Sequence, residues 1–545
     1  MTTRCGLART GAVALTVAAV LSVAGCNGIG GGSTTSGSPT SSGNVLDPTN
    51  VAGLPVTDGP SGPKSGVPDA HMQVNGTDNG SVDKLVVNSL SDIFTFWKQE
   101  MPKDFNGKQF QPITKLNSFD SRTTDENLCG EPTKGDTNAW YCDTEKSISW
   151  DRGVLLPVLI KQFGPMAVPT VLSHETGHAV QYQLGSSVTQ LQPDTPTIVY
   201  EQQADCYAGS FMRWVAEGKA PHLQLSTGPG LSKELAAMVL LKDPTGAAKV
   251  TDEGSHGTAF DRVYAFQQGF ENGPPRCNKI NLDEVKSRAT EDTFTPDEQR
   301  QKNGNVTIDQ NHITELKYSL DQAFQSSDAE KLSLNANNNG KCQSSNGTPP
   351  ASYCPKDKSI SIDLQALQQI GAPPPADDSF GGNTGGGTGS DQNPSDGAGP
   401  PDSESPSGSS LPGGGSGGGG SGGGQYGNGG AGIGDFAAFA EIASRYELAV
   451  EQQKGLSDDG ENAGLRTSCL TGVWAQAARK RMGSQRLQLL LAPGDLDKAI
   501  TELLTDHSLI AADENGKSIP SGFARVESFR IGYLQGMNQC LSQFK

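Results

Sequence analysis

The sequence has few basic residues, few histidines and no apolar run long enough to cross a membrane. Lysine and arginine total 42 against 60 aspartates and glutamates, which gives a formal net charge of −18. An acidic chain without a basic patch argues against nucleic acid as a partner. The apolar stretch at residues 11–23 is shorter than the ~20 residues of a membrane-spanning helix. At 545 residues, the chain is long enough for several domains.

The first residues resemble a bacterial lipoprotein signal. Arg4 and Arg9 precede the apolar stretch, which ends in Val23-Ala24-Gly25-Cys26, the pattern of a lipobox. We expect residues 1–25 to be a signal peptide. Cys26 would then carry a lipid that holds the protein on the outer face of the cytoplasmic membrane, in the cell envelope. The alternative is plain secretion with a cysteine there by chance.

The cysteine count suits an oxidising compartment. Of 10 cysteines, Cys5 lies in the signal segment and Cys26 is the expected lipid site. An even number then remains, which predicts disulfides. These cysteines are Cys129, Cys142, Cys206, Cys277, Cys342, Cys354, Cys469 and Cys540.

Two segments are too poor in large apolar residues to fold by themselves. Residues 26–80 are rich in Gly, Ser, Thr and Pro, which predicts a flexible stalk. Residues 371–434 are a Gly, Ser, Pro and Asp tract, which predicts a low-complexity linker. A spacer that threads the cell wall is the alternative role for this linker.

Parts of the first half of the chain recur in the second half. Lys146 to Asp151 (KSISWD) matches Lys358 to Asp363 (KSISID), and each follows a Tyr-Cys pair. The interval from Cys206 to Cys277 equals that from Cys469 to Cys540, and Arg262 recurs as Arg525 at the same offset. We interpret this as an internal duplication. Its symmetry predicts the disulfides Cys129–Cys142, Cys342–Cys354, Cys206–Cys277 and Cys469–Cys540.

A candidate metal site lies at His174-Glu175-Thr176-Gly177-His178. Histidines four apart share one helix face, so both imidazoles can bind one zinc ion while Glu175 reaches its water. Further on, Glu201 and Asp205 are also four apart. Glu201 would complete a set of three ligands, and Asp205 would orient a ligand histidine. The alternative is that both acids are ordinary exposed helix residues.

These residues resemble the putative neutral zinc metallopeptidase family of bacteria. The family carries an HExGH helix with a following glutamine and then an ExQADCxAG segment, which stand here as HETGHAVQ and EQQADCYAG. The resemblance covers about Val82 to Cys277. It implies a zincin-like metallopeptidase of α+β class, mainly helical, with Glu175 as general base. For the donor to the oxyanion, the sequence offers only His256 and Tyr200 as weak candidates, each of which also has a plain structural reading.

The second copy of the repeat lacks the site. Aligning Ala179-Val180 with Ala449-Val450 puts Ser444, Arg445 and Leu448 in place of the HETGH residues, and Gly464 and Ser468 in place of Glu201 and Asp205. We therefore expect a zinc-binding domain at residues 81–290 and a degenerate, zinc-free domain at residues 305–370 and 435–545. That second domain would supply a substrate-binding surface or a stabilising interface.

The leading hypothesis is a lipid-anchored zinc metalloendopeptidase that holds one Zn²⁺ per chain and cleaves a peptide or protein substrate outside the cytoplasmic membrane. One alternative is a noncatalytic envelope lipoprotein that binds partners through a zincin-like fold. Another is a zinc-dependent hydrolase of peptidoglycan cross-links, which needs the same activated water. The strand around Ile148 is a candidate for pairing with an extended substrate, or else an internal strand of the core.

Overall fold

The computed structural model describes residues 46–243, 245, 254–288, 305–336, 339–343, 347–373, 432–479, 489 and 491–545. The described residues from Leu46 onward belong to one compact unit. The predicted signal peptide, Cys26 and most of the predicted linker lie outside the described residues. Among the described helices, none is both long enough and apolar enough to cross a bilayer.

The protein is a mixed α+β structure dominated by helices. The helices of the first half are α1 (Ser81–Asp104), α2 (Leu155–Phe163), α3 (Ala167–Leu184), α4 (Ser186–Thr189), α5 (Thr197–Ala216), α6 (Pro229–Leu240), α7 (Ala259–Asn272), α8 (Pro274–Cys277) and α9 (Leu282–Arg288). Those of the second half are α10 (Gln310–Phe324), α11 (Leu364–Ile370), α12 (Asp435–Gln453), α13 (Glu461–Ala478), α14 (Asp495–Leu503), α15 (Gly522–Gln535) and α16 (Met537–Gln543). The mixed α+β class predicted from the sequence is thus confirmed.

The strands are short. They are β1 (Asn50–Val51), β2 (Leu54–Pro55), β3 (Gly62–Pro63), β4 (Lys115–Phe119), β5 (Asn127–Leu128), β6 (Glu131–Pro132), β7 (Ala139–Cys142), β8 (Ser147–Asp151), β9 (Leu223–Gln224), β10 (Ser333–Asn335), β11 (Ala351–Cys354) and β12 (Ser359–Ile362).

Each half contains a three-stranded sheet of the same topology. In the first, β8 lies between a parallel β4, with Leu116 opposite Ile148, and an antiparallel β7, with Tyr141 opposite Ile148. In the second, β12 lies between a parallel β10 and an antiparallel β11. The Ile148 strand is therefore a central strand with both edges occupied, so the idea that it pairs with a substrate is wrong. The edge strands of the first sheet are β4 and β7, and β4 also forms an isolated parallel bridge with Asn75.

The helices that follow each sheet also correspond. In α5 and α7, a Cβ added to Gly209 would lie 1.9 Å from the carbonyl oxygen of Phe266, so these helices touch backbone to backbone. In α13 and α15, a Cβ on Gly472 would lie 2.0 Å from the carbonyl oxygen of Phe529. Only glycine permits such close approach of two backbones.

Four disulfides join the cysteines in the pairs that the repeat predicts. They are Cys129–Cys142, Cys206–Cys277, Cys342–Cys354 and Cys469–Cys540. The two longer bridges each close a separation of 71 residues. A loop of this size contributes about 4 kcal/mol in the chain-entropy model of disulfide stabilisation.

One hydrophobic core runs through both halves. Between the halves, the rings of Phe260 and Tyr533 lie 5.7 Å apart, and those of Phe270 and Phe523 lie 5.5 Å apart. Helix α6 packs on α14 and α15, while α7 packs on α14. The two halves thus meet through corresponding helices, as the subunits of a two-fold symmetric dimer do.

Residues 46–80 differ from the flexible stalk expected from their composition. Val51 is buried, and β3 pairs with β9 in the body of the domain. Thr57 and Ser61 bond to Thr227 and Ser226 through backbone and hydroxyl groups. The segment is ordered because its polar backbone finds partners at the start of α6, although it has few large apolar residues of its own.

The ends of the predicted linker lie side by side. The backbone N–H groups of Ile433 and Gly434 donate to the carbonyl oxygen of Ile370 at 2.8 and 3.0 Å. The tract between them, residues 374–431, lies outside the described residues. The described chain thus leaves and re-enters the second half at neighbouring positions.

The second half should lose stability as pH rises. Glu441 and Glu502 are buried and hydrogen-bonded to each other; burial raises the pKa of both, and Glu502 raises that of Glu441 further, well above its ordinary value. A raised folded-state pKa gives stability that is complete below the ordinary carboxyl pKa and is lost as pH rises through the folded value, at about 1.4 kcal/mol per pH unit. Glu441→Gln, which is neutral at every pH, should therefore gain thermal stability relative to wild type between pH 5 and pH 8. Equal differences in melting temperature at both pH values would contradict this.

Candidate metal centre

The site lies where helices α3 and α5 cross. Gly177 on α3 faces Ala204 on α5, and a Cβ at Gly177 would lie 3.1 Å from the Cα of Ala204. Because Gly177 has no side chain, the two helices come close enough for residues on both of them to bind one metal ion. His174 on α3 and Glu201 on α5 each lie three residues before this contact.

Three ligand atoms converge here. The Nε2 atoms of His174 and His178 lie 3.2 Å apart. The carboxylate of Glu201 approaches them at 3.1 Å from His174 and 3.5 Å from His178. Atoms around a tetrahedral zinc ion with bonds of about 2.05 Å lie about 3.3 Å from one another. These spacings fit a zinc site with two histidines and one carboxylate.

The outer nitrogens of both rings have hydrogen-bond partners that fix the protons. His174 Nδ1 lies 2.7 Å from Oδ1 of Asp205, and His178 Nδ1 lies 3.0 Å from Oε1 of Gln181. Both partners are acceptors, so each Nδ1 carries the hydrogen and each Nε2 presents a lone pair. Two buried lone pairs and a carboxylate oxygen of Glu201 without a hydrogen bond therefore face one point, which favours a cation there.

The pKa shifts of His174 and Glu201 also favour a cation at this point. Burial lowers the pKa of His174, but Asp205 and Glu201 outweigh burial and raise it to about 10. Burial raises the pKa of Glu201, but His178 and His174 outweigh burial and hold it well below its ordinary value. The carboxylates thus favour positive charge at the Nε2 atoms, and a divalent cation can supply that charge as a proton does.

Glu175 lies on α3 between the two histidines, and its side chain is hydrogen-bonded to the sheet. Its Oε2 accepts a hydrogen bond of 2.9 Å from the backbone N–H of Tyr141 in the edge strand β7. This contact fixes one carboxylate oxygen of Glu175 while the side chain remains half-buried. The predicted general base is thus held by the sheet on the helix that carries both histidines, and its charge acts on His178.

The sequence reasoning missed the role of Arg262. Its Nε donates to Oδ2 of Asp205 at 3.0 Å and its Nη2 to Oδ1 at 2.7 Å, so that the guanidinium grips the whole carboxylate that orients His174. The sequence shows the recurrence of Arg262 as Arg525, but it does not show the contact of Arg262 with Asp205.

The weak candidates for an oxyanion donor are engaged elsewhere. The Tyr200 hydroxyl donates to the carbonyl oxygen of Gln192 at 3.0 Å. His256 Nδ1 lies 3.0 Å from Oδ1 of Asp243. In the described part of the chain, neither side chain is hydrogen-bonded to His174, His178 or Glu201. The structure therefore identifies no oxyanion donor at this position.

The corresponding place in the second half is filled by other groups. Arg445 is buried and donates to the carbonyl oxygens of Leu509, Ala512 and Asp513 at 2.6 to 2.7 Å. Ser468 donates to the carbonyl oxygen of Arg525 at 2.7 Å. Apart from the bridged pair Cys342 and Cys354 with Asp357, no described trio of metal-ligating side chains lies in this half.

Gly177→Ala should weaken zinc binding more than it weakens folding. The added methyl forces α3 and α5 apart by a few tenths of an ångström, but alanine also favours the helix over glycine by about 1 kcal/mol. We expect a measurable fall in zinc affinity in a chelator competition and a small change in melting temperature. Gly472→Ala is the matched control, because its methyl would collide with a backbone oxygen in the other half. It should lower the melting temperature and leave zinc affinity unchanged; the reverse pattern would contradict this account.

Curated relatives are similar to parts of this chain. An uncharacterized protein of Mycobacterium bovis is 29% identical over 165 residues, covering 27% of this chain and 56% of the relative. An uncharacterized protein of Mycobacterium tuberculosis matches to the same extent. The Escherichia coli protein YpfJ, also uncharacterized, is 30% identical over 129 residues, covering 21% of this chain and 44% of YpfJ. The chain thus spans about half the length of these curated relatives, and no solved structure matches it.

The model of the family described as putative neutral zinc metallopeptidase matches residues 40–280. This match begins before β1 and ends just after Cys277, so it includes α3, α5 and the residues that converge between them. Residues 40–280 of this chain are therefore similar to the putative neutral zinc metallopeptidase family.

Proposed function

We propose that the protein is a zinc metalloendopeptidase with one zinc ion held by His174, His178 and Glu201. The observation that carries the proposal is the convergence of two imidazole lone pairs and one carboxylate at tetrahedral spacing, with Glu175 beside them on the same helix. Zinc would supply Lewis acidity, which activates water and polarises a peptide carbonyl.

Other residues of the chain would transfer the proton, orient the ligands and bind the substrate. Glu175 accepts the proton of the attacking water and passes it to the leaving amine as general base and then general acid. The N–H of Tyr141 keeps this carboxylate pointed at the site. Asp205 and Gln181 hold the two histidines in the tautomer that leaves Nε2 free. Because β7 is the edge strand next to Glu175, we propose β7 in place of the Ile148 strand as the partner of an extended substrate.

We also propose a location for the protein in the cell. The lipobox ending at Cys26 and the apolar stretch before it support a lipid anchor on the outer face of the cytoplasmic membrane. Four disulfides in the described residues suit an oxidising compartment. The substrate would accordingly be a peptide or protein of the cell envelope or its surroundings.

We also propose that the second half is a degenerate duplicate that acts as a scaffold. Matching sheet topology, matching disulfides and the matching glycine contacts of α5–α7 and α13–α15 support a common origin. Ser444, Leu448 and Gly464 in place of the three proposed ligands support the loss of the metal. The shared core supports a stabilising role for this half.

Glu175→Gln separates the catalytic proposal from its alternatives. The variant should retain one zinc per chain and lose activity by about 10²- to 10⁴-fold, the usual contribution of a general base. Metal content is measured alongside cleavage of a peptide library and of muropeptides, with and without a chelator. Glu330→Gln, at an exposed glutamate of the second half, is the control and should behave as wild type.

The substrates distinguish three results. Chelator-sensitive cleavage of peptides alone supports the peptidase. Chelator-sensitive cleavage of muropeptides alone supports a hydrolase of peptidoglycan cross-links instead. Bound zinc with no cleavage of either substrate class would overturn the enzymatic proposal and favour a binding protein.

A further inference from the structure

Asp205 is a buried carboxylate that accepts hydrogen bonds from two side chains, His174 and Arg262. Its Oδ1 lies 2.7 Å from His174 Nδ1, and both of its oxygens accept hydrogen bonds from Arg262. Asp205 is completely buried and the side chain of Arg262 is 4% exposed. Asp205 cannot turn toward water, so the direction in which it points at His174 is set by Arg262.

We propose that Arg262 is the positioning residue of the metal centre, and that the second half of the chain keeps Arg262 in place. The inference rests on the proposed zinc site. A fork of two N–H donors fixes a carboxylate in its plane, which a single donor does not do. Through Asp205, this fork fixes the rotation and the tautomer of the imidazole that would bind zinc.

Arg262 itself is held from two sides. Its Nη1 donates to the carbonyl oxygen of Leu241, at the end of α6, and its backbone belongs to the first turn of α7. Any shift of the end of α6 relative to the start of α7 would therefore move the guanidinium. The geometry of the metal centre depends on a junction that contains no metal ligand.

That junction is tied to the second half by one carboxylate. Asp497 on α14 lies 3.1 Å from Nζ of Lys242, the residue after Leu241, and 3.4 Å from the backbone N of Phe260 at the start of α7. Asp497 is buried. Asp497 therefore links the end of α6 and the start of α7, the two segments that hold Arg262. The second half thus supports Arg262 through contacts that do not involve the proposed metal ligands.

The second half contains its own control for this arrangement. Arg525 corresponds to Arg262, and its Nη1 likewise donates to a carbonyl oxygen, that of Thr505, at 2.5 Å. The counterpart of Asp205 is Ser468, which bonds to the backbone of Arg525 instead of its side chain. Of these two described arginines, Arg525 keeps the carbonyl contact where the site is missing, whereas Arg262 grips a carboxylate beside the converging histidines.

The test compares Arg262→Gln, Arg262→Lys, Asp497→Asn and Arg525→Gln in the full chain. Zinc affinity is measured by chelator competition, the visible spectrum of the Co²⁺-loaded protein reports ligand geometry, and melting temperature reports stability. Arg262→Gln should weaken zinc binding by about 10- to 100-fold and alter the Co²⁺ spectrum. Loss of a group that orients a metal ligand through hydrogen bonds typically has an effect of this size. Arg262→Lys, which keeps the charge but not the fork, should recover part of the affinity.

Arg525→Gln should lower the melting temperature without changing zinc affinity or the Co²⁺ spectrum. Asp497→Asn should weaken zinc binding by about 2- to 30-fold, the coupling that packed networks carry. If Arg262→Gln fails to fold, Arg262→Lys and Asp497→Asn carry the test.

Unchanged zinc affinity and Co²⁺ spectrum in the folded Arg262 variants would overturn the inference and leave Arg262 a purely structural residue. Unchanged affinity in Asp497→Asn alone would overturn the role of the second half. Failure of the wild-type protein to bind zinc would instead refute the proposed function on which the inference rests.

Discussion

Two imidazole lone pairs that face each other inside a protein require positive charge between them, and the first half of this protein is arranged around that requirement. The Nε2 atoms of His174 and His178 are brought together by one helix, and Glu201 reaches them from another. Gly177 allows the two helices to come close, because any side chain there would press on Ala204. Asp205 and Gln181 hold the outer nitrogens, so that both lone pairs remain directed inward.

The second half shows what the same framework does without this requirement. It has the same strand order, the same two disulfides and the same contact between glycine-bearing helices. At the position where ligands would converge, the buried Arg445 donates hydrogen bonds to three carbonyl oxygens. The buried charge is thus satisfied by the backbone, and a cation there would be repelled. The sheets, disulfides and helix contacts do not by themselves create the site, which depends on a few side chains.

The sequence was most informative where spacing directly determines geometry. Histidines four apart on a helix must share a face, and the equal intervals Cys206–Cys277 and Cys469–Cys540 predict bridges of equal span, which the structure contains. It was less informative where partners are distant along the chain: residues 46–80 are ordered by bonds to Ser226 and Thr227, and Ile148 lies in a central strand because β4 pairs with its second edge. Arg262 was visible as a repeated residue, but its grip on Asp205 arises only from the packing of α7 against α5.

The most direct test of this account is X-ray absorption at the zinc edge on the purified protein, supplemented by anomalous diffraction from crystals. The account predicts one zinc ion per chain with two imidazole nitrogens and a carboxylate oxygen at bond lengths of about 2.0 to 2.2 Å, located between α3 and α5. Zinc bound through sulfur, zinc in the second half, or a protein that binds no zinc at all would contradict it.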